Sequence, residues 1–439
     1  MSRATPLRSP NSPLIKSFKR APLPFFIGLI LAGHVYAGPE GGEIVGGAGT
    51  INHSGTTTTI NQNTDLMAID WQSFDVNSNE RVQYIQPDSS SVSLNRIMSN
   101  SASHINGRVD ANGHLIFVNP HGIMFGENSV INAGGILASG LSINPNDFMN
   151  GATTFSAVDG AEGFVINSGT LNAATGGSVT LLGKQVTNEG LISADLGSIN
   201  FAAGREAVVT FGGDGFVGVR ITEALLADDI GVDPAVINAG EINAEGGKVL
   251  LTASTSRDIF SQAVNNGDLD YGRSVVVHDD GSFTLGDGGD VSNSGLINVS
   301  GEHAGVVVVL GENITHSGEI NVDSSIAQTA GHVKIHSRDT TLLTQASVVT
   351  ASSEQGKGGD IKLLGERVGL VDQAQVSVTG LSEGGQILIG GDYRGENTRV
   401  RNAAAVFMGA ETYLNTDAEG VNSLGGNAYG LCHVSALMS

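Results

Sequence analysis

Cysteine is almost absent: Cys432 is the single one in 439 residues. No internal disulfide is possible, so burial and backbone pairing must hold the fold. Basic residues are also few, 22 Lys+Arg against 44 Asp+Glu. Five of the 22 (Arg3, Arg8, Lys16, Lys19 and Arg20) lie near the start, and without them 17 remain against 44, a net charge near −27. Nucleic acid is excluded as a partner, because phosphate binding needs a basic footprint. Long hydrophobic runs are missing too. The apolar stretch Phe25–Ala32 falls short of the roughly 20 residues a membrane-spanning helix needs. The mature chain is therefore expected to carry no integral membrane segment.

What stands at the start fits an export signal, residues 1–37. A basic region without acidic residues precedes Phe25–Ala32, and Val35-Tyr36-Ala37 offers a small-x-small site with cleavage after Ala37. Glycine is plentiful, 62 of 439 residues, about twice the usual share. It is not at every third position, which excludes collagen. The aliphatic content is too high for disorder. Many short strands joined by Gly, Asn, Asp and Ser corners remain.

Two units recur. One is a short strand closed by Asn-x-Gly: Val165–Gly169, Val186–Gly190, Val236–Gly240 and Val291–Gly295, with His316 replacing Asn in Ile314–Gly318. The other is a glycine corner followed by an alternating strand, as in Gly177–Leu181, Gly247–Leu251, Gly331–Ile335, Gly359–Leu363 and Gly385–Ile389. The third and fifth residues of each are apolar, so one face points inward. Periods of 20–30 residues without helical patterning indicate a solenoid whose rungs bury a shared core. The expected fold is all-β, a right-handed parallel β-helix of the pectin-lyase-like type, with Asn side chains stacked into ladders at the corners.

Some stretches break the pattern. Ser256–Val264 has a helical apolar face opening at a Ser/Thr cap, and Glu223–Ile230 suggests another helical turn; both would be excursions from a rung. Residues 38–76 lack the rung pattern and are expected to cap the open end, sealed by Trp71 and Phe74. After Gly426 the aliphatic strand gives way to Asn427–His433, as expected of a truncated or frame-shifted longer rod, or of a short protein with a frayed end.

Candidate chemistry is sparse. His332 and His336 would stand about 13 Å apart on a strand, too far for one metal. Asp279, Asp280, Asp287 and Asp290 crowd a Gly-rich loop, but the calcium-binding nonapeptide repeat is missing and a solvated loop is the simpler reading. No carboxylate pair, nucleophile elbow or phosphate loop is visible, so no catalytic residue, metal or cofactor is assigned.

The most informative segment is Arg81–Ser139. At its centre, Asn119-Pro120-His121-Gly122 lies between the apolar runs Leu115–Val118 and Ile123–Phe125. Asn, Pro and Gly at the first, second and fourth places suit a type I turn joining two strands. Leu94-Asn95-Arg96 precedes it, and Asp110–Gly113 and Ile131–Ser139 flank it. Across residues 61–156 this resembles the secretion domain of filamentous haemagglutinins and high-molecular-weight adhesins, exoproteins of two-partner secretion in Gram-negative bacteria. His121 replaces the family's usual Asn. The Asn-Pro-Asn-Leu motif of some members is absent, Asn144-Pro145-Asn146-Asp147 being only superficially like it, which places the chain nearer the high-molecular-weight adhesin branch.

The resemblance implies a haemagglutination-activity core at 61–156, a continuing secretion-domain β-helix at 157–290 with helical excursions, and further rungs at 291–439. It implies passage through the Sec export machinery, engagement of the periplasmic domains of an outer-membrane transporter, and a secreted or cell-surface adhesin with a host-cell or glycan receptor. Leu94, Asn95, Arg96, Asn119, Pro120, His121, Gly122 and Ile123 are the implied secretion determinants. A polysaccharide-active β-helix enzyme and the truncated stalk of a contact-dependent toxin are the competing readings.

Overall fold

The computed structural model describes residues 38–212, 215–225, 234–253, 274–277, 283–286, 289–302, 305–326, 329–397, 400–420 and 423–430. The export signal with Ala37, the Ser256–Val264 segment, residues 226–230, Asp279, Asp280, Asp287 and Cys432 lie outside them.

Three long sheets run through this part of the chain. Sheet one has 13 strands and starts at Glu43–Gly46; sheet two has 10 and starts at Ser103–Ile105; sheet three has 13 and starts at Gly49–Ser54. Each rung gives one strand to sheet two, then three, then one. Gln185–Asn188, Leu191–Ser193 and Ser198–Ala203 form one such rung, paired in parallel with the strands of the rungs before and after. This is a parallel β-helix, as the repeat periods predict.

The interior follows from the alternation. Val179 and Leu181, Val249 and Leu251, Val333 and Ile335, Ile361 and Leu363, and Ile387 and Ile389 all enter one continuous core. Each side chain so buried contributes roughly 1.5–3 kcal/mol relative to exposure, and no rung could bury its apolar face alone. The glycine corners have a steric cause. A Cβ on Gly190, Gly240, Gly295 or Gly318 would overlap the carbonyl oxygen of the glycine one rung earlier. A second column, from Gly177 through Gly197, Gly247, Gly305, Gly331, Gly359 and Gly385 to Gly426, is packed in the same way.

At the N-terminal end two sheets finish antiparallel: Glu43–Gly46 pairs with Leu66–Trp71, and Gly49–Ser54 with Thr57–Gln62. Thr57–Gln62 and Leu66–Trp71 themselves already pair in parallel with Arg81–Ile85 and Val92–Ile97. The rung pattern thus begins before residue 76. It is hard to see in the sequence because Thr58 and Gln62 take inward places beside Ile60. Trp71 and Phe74 are fully buried, their rings 5.4 Å apart and nearly perpendicular.

Excursions leave the helix between sheets one and two. The first contains a helix, Pro145–Met149, whose start is capped by Asn144, so the Asn144–Asp147 sequence is a helix cap. The first also carries Thr154–Ser156, which pairs antiparallel with Glu206–Gly212 of the next excursion, and that strand pairs with Gly215–Glu223. Glu223 therefore ends a strand rather than opening a helical turn. These pieces lie over the outer face of sheet one, where Leu94, Ile116, Val118 and Leu137 join Ile143, Phe148, Phe155, Val209 and Ile221 in a second apolar cluster.

Candidate functional site

The Asn119–Gly122 corner joins the strand His114–Val118 of sheet one to Ile123–Phe125 of sheet two. The Gly122 amide donates to the Asn119 carbonyl at 2.9 Å, closing the turn. Asn119 also acts through its side chain: Oδ1 accepts from the His121 amide at 3.0 Å, while Nδ2 donates to the Ser101 carbonyl and Ser103 Oγ at 3.0 and 3.1 Å. The corner therefore fastens the segment that follows Val92–Ile97. Pro120 supplies the fixed φ of the second turn position, and His121 needs no left-handed backbone, so His in place of Asn leaves the turn intact. Gly122 has φ +115°, and a Cβ there would run into the Phe164 ring of the next rung. Ile123 is fully buried in the core.

The Leu94-Asn95-Arg96 triplet alternates across its strand. Leu94 is buried outward in the second apolar cluster. Asn95 is fully buried inward. Its Oδ1 accepts from Trp71 Nε1 at 3.0 Å and from the Tyr84 hydroxyl at 2.7 Å, and its Nδ2 reaches the Ser93 and Ile116 carbonyls at 3.3 Å. Burial pushes the Tyr84 hydroxyl well above the usual phenol range, against the opposing effect of Asn95, so it stays a donor. Arg96 points outward. Nε and Nη2 hold both carboxylate oxygens of Asp70 at 2.9 and 3.1 Å, and Nη1 donates to the Ile143 carbonyl at 3.3 Å. It thus ties the excursion to the first rungs.

The two motifs meet in space. Val92–Ile97 and His114–Val118 are neighbouring strands, with Arg96 opposite Val118 immediately before the corner. Between them Asn112 binds the backbone of Gln86 in both directions, at 2.8 and 3.0 Å. Gln86 reaches Gln62, the Ser91 and His114 carbonyls and the Gly113 amide. Asp110 accepts from Arg81, Arg108 and Asn132. Burial alone would raise its pKa, but those partners outweigh burial and lower it. Gln86, Asp70, Trp71, Tyr84 and Phe164 complete this site. Asn95 and Gly122 signal that a polar atom or a missing side chain is needed, but their partners emerge only when rungs stack.

The remaining sites of interest are elsewhere. His332 is exposed and paired with Asp360 at 3.2 Å, whereas His336, on the same strand, is buried. Asp290 accepts from the amide and side chain of Asn313 at 3.1 and 2.9 Å. Among the described residues no group of His, Cys, Asp and Glu is arranged to hold a metal, and no helix is long and apolar enough to cross a membrane.

Comparison with known proteins gives the same picture. The chain is 34% identical over 218 residues to a heme/hemopexin-binding protein of Haemophilus influenzae, covering 47% of this chain and 24% of that protein. A second Haemophilus influenzae heme/hemopexin-binding protein is 37% identical over 94 residues, 21% of this chain and 10% of the relative. The matched part thus spans a quarter or less of these relatives. The fold is similar to that of the HMW1 secretion domain from Haemophilus influenzae, with a TM-score of 0.61 and 24% identity over 90% of this chain and 91% of that one. The TPS secretion domain model matches residues 37–299, more than half of the sequence. The chain belongs to the TPS secretion domain family, and carries the secretion domain of a two-partner secretion exoprotein.

Proposed function

We propose that the first rungs direct export of the chain through a partner outer-membrane β-barrel transporter. After Sec-dependent passage into the periplasm, residues 61–156 engage the periplasmic domains of that partner. The observation that carries this reading is the junction of Leu94–Arg96 with Asn119–Ile123 in neighbouring strands. Leu94, Asn95, Asn119, Gly122 and Ile123 are buried once the rungs close. A transporter can read them only in the unfolded chain, where an extended segment can add a strand to an exposed sheet edge. Folding outside the cell, rung upon rung, then draws the rest across. The later rungs are the passenger, displayed at the surface or released as an adhesin toward a host cell or glycan.

The test is export with the partner transporter co-expressed. Gly122→Val and Asn119→Ala are expected to lower secreted protein several-fold while cellular synthesis is unchanged. Undiminished secretion of both overturns the assignment. Surface or medium fractions of the unmodified chain, with and without the transporter, test localisation in the same experiment.

A further inference from the structure

One interior column of sheet two changes character along the helix. It reads Ile105, Phe125, Asn167, Asn188, Asn238, Asn293, His316, Leu343 and Leu370 in consecutive register and ends at the exposed Met408. The five polar members are buried and bonded in one direction. Asn167 Nδ2 donates to Asn188 Oδ1 at 2.8 Å, Asn188 to Asn238 at 2.9 Å, and Asn238 to Asn293 at 2.8 Å; Asn293 Nδ2 meets His316 Nδ1 at 2.9 Å. His316 Nε2 lies 3.4 Å from the Val348 carbonyl, which assigns the proton to Nε2 and the acceptor role to Nδ1.

The placement of these residues follows the excursions. The chain leaves sheet one after Ser139, Ala203 and Thr252 and returns to sheet two on Phe164–Asn167, Val236–Asn238 and Val291–Asn293. Each return strand ends in a ladder asparagine. Asn188 and Asn238 are 50 residues apart and Asn238 and Asn293 are 55 apart, whereas the uninterrupted links span 21 and 23. Where later rungs follow directly, the column is leucine. A shorter excursion returns at Met408 without an amide. There Arg401 ties it down, through the Ser337 and Arg338 carbonyls and Glu366.

We infer that the ladder from Asn167 to His316 is a register lock that selects where the chain re-enters the β-helix after the two excursions that follow its first asparagine, at Asn238 and Asn293. Return strands as short as Val236–Asn238 have little local information, and an aliphatic interior accepts a strand displaced by two residues, since the inward face is then kept. A buried amide does not accept it. Each completed rung presents an Nδ2 donor that the next must meet with an acceptor at one position only, and a missed partner leaves a buried polar group unsatisfied. The polarity suits a chain that folds from its N-terminus: the donor is in place before the acceptor arrives.

The test traps register covalently in the full chain with Cys432→Ser. Thr187→Cys with Ile237→Cys reports the native pairing; Gln185→Cys with Ile237→Cys reports a two-residue slip. Parallel neighbours stand about 4.8 Å apart, within disulfide reach. After oxidative refolding from urea, the two disulfides are counted by peptide mass spectrometry. With the ladder intact the native pair is expected to exceed the slipped pair at least tenfold. Asn238→Leu is expected to bring the ratio toward one while Val249→Ala, a core truncation in the same rung, leaves it unchanged. If Asn238→Leu gives no folded protein, Asn238→Thr is read in its place. An unchanged ratio in the folded variant, or an equal loss with Val249→Ala, overturns the inference.

Discussion

Asn95→Ala is the sharpest single test of why the Leu94–Arg96 triplet has its composition. The substitution removes the common acceptor of Trp71 Nε1 and the Tyr84 hydroxyl, both buried. Each orphaned donor costs roughly 1–3 kcal/mol, and the vacated space adds to that. The expected loss is about 3–5 kcal/mol, a large share of a typical domain's stability. Tyr84→Phe removes one donor and leaves the acceptor to Trp71, so it should cost about 1 kcal/mol. In that background Asn95→Ala orphans only one group, and its cost should fall by about 1–2 kcal/mol, the coupling of a double-mutant cycle. Urea denaturation followed by fluorescence reads this locally, because Trp71 is the single tryptophan of the chain. A loss below about 1 kcal/mol for Asn95→Ala, or an equal loss in both backgrounds, refutes the assigned role.

Two further outcomes follow from the same geometry. Gly122→Ala should destabilise the first rungs by more than about 2 kcal/mol, through a φ of +115° and overlap with the Phe164 ring; pairing it with Phe164→Leu should recover only the steric part, and full recovery in urea melts would deny the backbone strain. His316 is held down to about 4 by burial, which its contacts with Val348 and Asn293 oppose. Its unfolded form takes up a proton near 6.5, so its neutral state is fully favourable above that value. Stability is lost as pH falls from about 6.5 to about 4, by about 3 kcal/mol in all. His336 and His114 are lowered by burial too and act in the same direction. His316→Asn should flatten its share of the slope in melts at pH 4–7 while keeping an acceptor for Asn293; an unchanged slope contradicts the neutral-acceptor assignment.

The solenoid was legible because its causes are local and repeated. Glycine corners, the third-and-fifth apolar rule and the Asn-x-Gly endings each recur within a few residues, and stacking them requires only that like positions meet. The Asn119–Gly122 turn was legible for the same reason. What the sequence hides are pairings made by stacking: Phe164 against Gly122, Asp70 under Arg96, Tyr84 and Trp71 on Asn95. Those partners lie up to dozens of residues apart, and none carries a local mark of its role. The strand Thr57–Gln62 was obscured by its threonines, and the helix Pro145–Met149 is too short to show a period.

This difference bears on how the proposed secretion motifs would work. A surface recognition motif would present its side chains to solvent, yet most of these are spent inside the rung. Asn119 closes a corner, Asn95 satisfies two aromatic donors, and Leu94 and Ile123 fill opposite faces of the wall. Only Pro120, His121 and Arg96 keep part of their surface, and Arg96 is already engaged by Asp70. On the proposed export route, residues that must be unburied to be read and buried to be useful would serve both ends of the transfer. On the periplasmic side they would label an unfolded segment. On the far side the same side chains would complete the first closed rungs, against which the later rungs stack. The folding free energy would then be released where the chain arrives and would give the transfer its direction.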